Sequence, residues 1–239
     1  MRFLVAVVSL VLVVDAAQGQ KRRAVRSPSP PVVFVAKTVV LGPSKDNTLY
    51  RFNDGSRSNG AGPHLFAGMT ASNEPRRALL AFNLASQIPA GSVVTRVVLT
   101  VRVSKTIAGP RSMSLHRVAA DWGEGVSDAG FSRDGIGNVA QPGDATWIHT
   151  FFPNQRWISA GGDFDAIPDA TADANFDAVR WESAAMIARV QQWVDQPSTN
   201  FGWIVVGDET RATTAKQFDS REAGEESRPS LRIEFNARP

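Results

Sequence analysis

From Thr38 onward, apolar and polar positions alternate with period two, the pattern of strands with one dry face and one wet face. Val97, Leu99, Val101 and Val103 form one aliphatic face, with Arg96, Thr100 and Arg102 among the positions between them. The same alternation runs through Leu80, Phe82 and Leu84, through Met113 and Leu115, and through Leu231, Ile233 and Phe235. Phe201 to Val206 is apolar on both sides, which predicts a central strand covered on each face. One segment breaks the period. Met186, Ile187, Val190, Trp193 and Val194 are spaced for a helix, with Ser183 as N-cap and Pro197 as stop.

Strands without intervening helices predict an all-β fold, a jelly-roll-type β-sandwich with one short helix, rather than a parallel α/β sheet. Between Asp121 and Asp177 the alternation gives way to a long stretch rich in Gly, Asp and Ala, carrying Trp122, Trp147 and Trp157. Such a length exceeds the usual connection in a compact domain and marks a loop-rich insertion with a role of its own.

The N-terminus reads differently. Met1-Arg2, an apolar run from Phe3 to Val14 and the small exit at Ala17-Gln18-Gly19 have the layout of a signal peptide over residues 1–19. Residues 20–37 are basic and then Ser/Pro-rich, as in a linker. The folded domain is expected over residues 38–236, in a protein that is secreted or at the cell surface. The apolar run is too short to span a bilayer, so no integral membrane association is expected after cleavage.

Charge sharpens this division. Residues 1–30 hold five basic groups and one acid, which leaves 21 basic and 22 acidic residues for the rest. Residues 121–177 carry ten acids against Arg133 and Arg156 alone, so an acidic insertion sits in a basic frame. Such a frame suits a polyanion, and the insertion suits a cation. Nucleic acid is not an expected partner, because the only basic run is the short linker. Cysteine is absent, which excludes disulfides, a thiol nucleophile and Cys-ligated metals.

The three histidines, His64, His116 and His149, lack both nucleophile-elbow context and zinc spacing. Tyr50 is the sole tyrosine, which leaves little for a lyase base. No catalytic residue is therefore assigned. For sugar binding, flat aromatic faces stack on pyranose rings and cations pair with uronate carboxylates. The candidates are Trp147, His149, Arg156 and Trp157 in the insertion, with Lys216 and Arg221 on or beside a late strand. Asp163, Asp165 and Asp169 are close enough in sequence to share a structural Ca²⁺, although they lack an EF-hand's positions.

Several stretches carry a family likeness in order: DNTLY at Asp46 to Tyr50, RALLAFNL at Arg77 to Leu84, LHRVAADWGEG at Leu115 to Gly125 and ATW at Ala145 to Trp147. W-x-x-x-GGD at Trp157 to Asp163, NFGWIVVGDE at Asn200 to Glu209 and AKQFDSRE at Ala215 to Glu222 follow. Over roughly Thr38 to Phe235 they resemble the DNRLRE-domain family. That resemblance implies a jelly-roll-like sandwich and a carbohydrate-binding module, since some members recognise alginate and many accompany polysaccharide lyases or surface proteins. The expected function is thus non-catalytic binding of an extracellular polysaccharide, possibly one containing uronates. The alternative is a structural or adhesive surface protein that makes protein contacts, with a polysaccharide lyase or hydrolase ranked last.

Overall fold

The computed structural model describes residues 34–237 apart from residue 53. The expected signal peptide and most of the expected linker lie outside them. The strands are β1 (Val35–Leu41), β2 (Lys45–Tyr50), β3 (Arg57–Ser58), β4 (His64–Met69), β5 (Pro75–Ala81), β6 (Val93–Thr106), β7 (Arg111–Arg117) and β8 (Asn138–Val139). They continue with β9 (His149–Phe151), β10 (Gln155–Arg156), β11 (Ala170–Ala174), β12 (Asp177–Trp181), β13 (Trp203–Val206), β14 (Lys216–Asp219) and β15 (Ser230–Ala237). The helices are α1 (Gly130–Arg133) and α2 (Ala184–Asp195). β1 begins at Val35, three residues inside the stretch read as linker.

Eleven strands form one curled antiparallel sheet that packs as a sandwich, so the chain is all-β as its alternation predicts. In the front layer β6 is central. β12 lies on one of its edges, and β15 followed by β14 on the other. β1 continues beyond β15, and β4 beyond β14. In the back layer β2, β5, β13, β7 and β11 run side by side. The last two residues of β4, Gly68 and Met69, cross over to pair with Arg76 and Pro75 of β5 and join the layers at a corner.

The core between the layers is drawn from the predicted dry faces. Val97, Leu99, Val101 and Val103 of β6 and Leu231, Ile233 and Phe235 of β15 meet Leu80 of β5, Leu115 of β7 and Trp203 of β13. α2 closes one side with the predicted stripe, since Met186, Val190, Trp193 and Val194 are buried. The Ser183 hydroxyl accepts the Met186 N–H at 3.0 Å, satisfying one of the donors a helix start leaves open. Trp193 and Trp203 meet nearly edge-on at 4.5 Å.

β13 is covered on both faces, as its composition requires. Trp203 and Val205 face the sandwich core, while Ile204 joins a second cluster on the outer face of the back layer. That cluster holds Leu49, Leu79 and Ile204 from the sheet against Trp122, Ala145 and Trp157 from the insertion. The insertion is therefore a packed cover over the back layer rather than a free loop. Gly202, just before β13, has φ +79°, and a Cβ there would stand 2.1 Å from the Leu80 carbonyl oxygen, so only glycine fits. Among the described residues no helix is long and apolar enough to cross a membrane.

Candidate functional site

With the back layer covered, the outer face of the front layer is the exposed one. Residues that alternate with the core point there: Arg96, Thr100, Arg102 and Ser104 of β6, Arg180 of β12 and Arg232 of β15. Arg96 and Arg180 converge on Glu182 at 2.6 and 3.1 Å, and Arg232 pairs with Glu234 at 3.2 Å. Arg102 reaches its only described partner, Asp219, at 3.8 Å and is otherwise open to solvent.

At the β4 end of this face lies a cleft of about 390 Å³. Phe66 of β4 and Gln217 of β14 line it from the sheet, Lys105 and Ile107 from the end of β6, and Phe131, Arg133 and Ile136 from the segment around α1. Phe131 is 80% exposed and Ile107 77%, so two large apolar side chains face water beside two cations. Among the described residues neither Lys105 nor Arg133 has an ion-pair partner.

Buried polar groups fix both walls. On one side the Tyr50 hydroxyl donates to the Asp134 carbonyl oxygen at 2.6 Å, His64 Nδ1 bonds the Asp134 carboxylate, and the Arg76 guanidinium donates to the Gly135 carbonyl at 3.4 Å. Phe131 stands edge-on to His64 at 5.8 Å. On the other side the fully buried Lys216 donates to Thr106 Oγ1 at 2.6 Å and to the Ala108 and Gly109 carbonyls at 2.7 Å each. These bonds cap the turn that presents Ile107. Burial, with Arg111 nearby, holds the Lys216 pKa below the ordinary lysine value.

Of the residues singled out from sequence, Lys216 alone lines this cleft, and most of the others are held in packing, hydrogen bonds or ion pairs elsewhere. Trp157 is buried, with its indole Nε1 donating to the Thr146 carbonyl at 2.9 Å, so it anchors the insertion and offers no face to a sugar. Trp147 is half-buried, with the Arg77 guanidinium 4.8 Å above its ring. His149 is buried on Thr146 Oγ1 at 3.0 Å, and burial together with Arg156 lowers its pKa. Arg156 alone of the insertion candidates is exposed. Lys216 caps a turn rather than presenting charge at a surface. Arg221 is engaged by Glu124 at 2.8 Å and Glu222 at 3.3 Å.

The three aspartates do not converge on a cation. Asp163 accepts the backbone N–H groups of Ile158 and Ser159 at 2.8 Å each. Asp165 takes the Arg117 guanidinium through both oxygens at 2.9 and 3.0 Å. Asp169 binds Arg189 at 3.0 Å and the Trp203 indole at 2.8 Å. Their negative charge is answered by arginine and backbone, and among the described residues no group of three or more acidic, histidine or cysteine side chains could hold a metal ion.

Sequence reasoning missed Lys105, Ile107, Phe131, Arg133 and Ile136. Two signals were present. Alternation fails at Ser104-Lys105-Thr106-Ile107, and Phe131 and Ile136 are isolated apolar residues in a glycine-rich stretch with no periodic partner. No family model matches this chain, and no curated protein matches it.

Proposed function

We propose that the protein is a non-catalytic module that binds an extracellular polysaccharide on the outer face of its front layer, with the Phe131 cleft as the principal seat. The observation that carries this is the pairing of an exposed aromatic ring with two cations that have no ion-pair partner among the described residues, Lys105 and Arg133, in a cleft whose walls are fixed beforehand. A ring of this kind stacks on the apolar face of a pyranose, and the cations pair with uronate carboxylates. Fixed walls lower the ordering cost of binding. The leader expected over residues 1–19 and the resemblance to the DNRLRE-domain family support an extracellular carbohydrate ligand. The lone tyrosine, Tyr50, is buried and already bonded to a backbone carbonyl, and burial raises its pKa, which favours binding over lyase chemistry.

Affinity electrophoresis through gels containing alginate, pectin or a neutral glucan tests the reading. Retardation by an acidic polymer is expected, weakened about tenfold in Phe131→Ala and again in the Lys105→Ala, Arg133→Ala pair. Retardation that survives all three substitutions removes the cleft from the proposal, and no retardation in any gel transfers it to a protein partner.

A further inference from the structure

Asp46, the second residue of β2, is fully buried. Its Oδ2 accepts the Arg221 backbone N–H at 2.7 Å, while its Oδ1 is buried without any partner. Two further carboxylates face it. Glu124, from the start of the insertion, accepts the Asp46 backbone N–H at 2.9 Å, and Glu222 comes from the loop after β14. The Arg221 guanidinium pairs with Glu124 and Glu222 but makes no bond to Asp46, and the nearby Lys45 is taken by Asp121 at 2.7 Å and by the Trp122 carbonyl. Fully ionised, Asp46, Glu124, Glu222 and Arg221 would carry a surplus of two negative charges, with the Asp46 carboxylate fully buried among them. A bare oxygen in that setting has no means of offsetting its lost hydration.

We propose that Asp46 keeps its proton in the native fold, and that losing this proton to solvent at higher pH releases the insertion from the sandwich, so that the junction is a pH-sensitive latch. Burial first, and then Glu222, push the Asp46 pKa well above the ordinary carboxylate value, and burial raises Glu222 as well. The junction ties together three distant stretches, around residues 46, 124 and 221, and Asn47 adds a bond to the Glu124 carbonyl at 2.7 Å. Because Asp46 has a raised folded pKa, its contribution is fully present below the unfolded pKa and is lost as pH rises through the folded one. Only the consequence for a ligand rests on the polysaccharide reading: Glu124 lies a few residues before Phe131 and Arg133, so release would loosen one wall of the cleft.

The test is carbon-detected NMR of the Asp46 carboxyl in the full chain, together with hydrogen exchange of the Asp46, Ala61 and Ala129 amides from pH 5 to 9, corrected for intrinsic rates. These amides bond Glu124, the Ser127 carbonyl and Asn59 across the junction in the closed state. A carboxylic-acid signal at pH 5 that changes as pH rises is expected, with protection falling by up to about tenfold per pH unit while the closed state still holds the Asp46 proton and the open state does not, and levelling off once Asp46 ionises in the fold. Asp46→Asn is expected to give a flat profile. A carboxylate signal already present at pH 5, or a fall in protection that persists in Asp46→Asn, overturns the latch. If that variant does not fold, Glu222→Gln decides: a lower Asp46 midpoint supports the proposal and an unchanged one overturns it. A pH-dependent exchange profile in a protein that retards on no polymer keeps the latch and removes the polysaccharide reading.

Discussion

At the scale of single residues, the aromatic and charged side chains that stand out in the sequence are mostly structural here. Trp157 and Arg221 show what separates anchoring from binding. Trp157→Ala is expected to cost about 3–5 kcal/mol, as for other buried large-to-small changes, and to leave polymer retardation of the surviving folded fraction unchanged. Thermal unfolding followed by electrophoresis at a permissive temperature separates the two readouts. Phe131→Ala should do the opposite, leaving the melting temperature in place while retardation weakens, because its ring is packed against little besides His64. A tryptophan that loses both properties together would place ligand at the insertion after all. Nothing in the local sequence of Trp157 distinguishes these outcomes, since a loop tryptophan before two glycines reads the same whether it is buried or presented.

At the scale of elements, what could be read from sequence is what is determined locally. The α2 stripe, its Ser183 cap and the two-sided β13 all follow from periods of four residues or fewer, and each took the place it was given. The cap also donates its hydroxyl to the Asp169 carbonyl at 2.5 Å, so Ser183→Ala should destabilise the domain by about 0.5–2 kcal/mol in denaturant titration. No change in the midpoint would mean that water replaces both bonds. What could not be read is pairing. Gln217, Lys105 and Phe66 become neighbours through the registers of β14 with β6 and with β4, and the α1 segment is carried onto that surface by bonds to Tyr50 and His64. The cleft is thus assembled from four stretches with no pattern in common. The role of the insertion was hidden for a similar reason, since Trp122 and Trp157 cover the back layer without any periodic spacing.

At the scale of the molecule, the division of charge seen along the chain is partly a division in space. Lys105, Arg102, Arg180 and Arg232 lie on the uncovered front face, while the insertion's Asp165 and Asp169 are consumed by Arg117 and Arg189. Retardation by an acidic polymer should therefore decline as salt rises through the physiological range, where the screening length is about 8 Å. Chelators should leave the melting temperature where it is, because the aspartates of the insertion are already paired with arginine and backbone N–H groups. A drop in melting temperature restored by calcium would contradict that account. One further property follows from β15, which sits between β1 and β6 with Val35 set against Ala237. The front layer cannot close until this C-terminal strand is in place, so while the chain is being synthesised β1 has no neighbour and one edge of β6 stays bare. Contacts this far apart in sequence make for slow folding. The nascent protein should therefore emerge with exposed strand edges and complete its sandwich only once β15 has followed, which makes it dependent on whatever shields those edges in the interval.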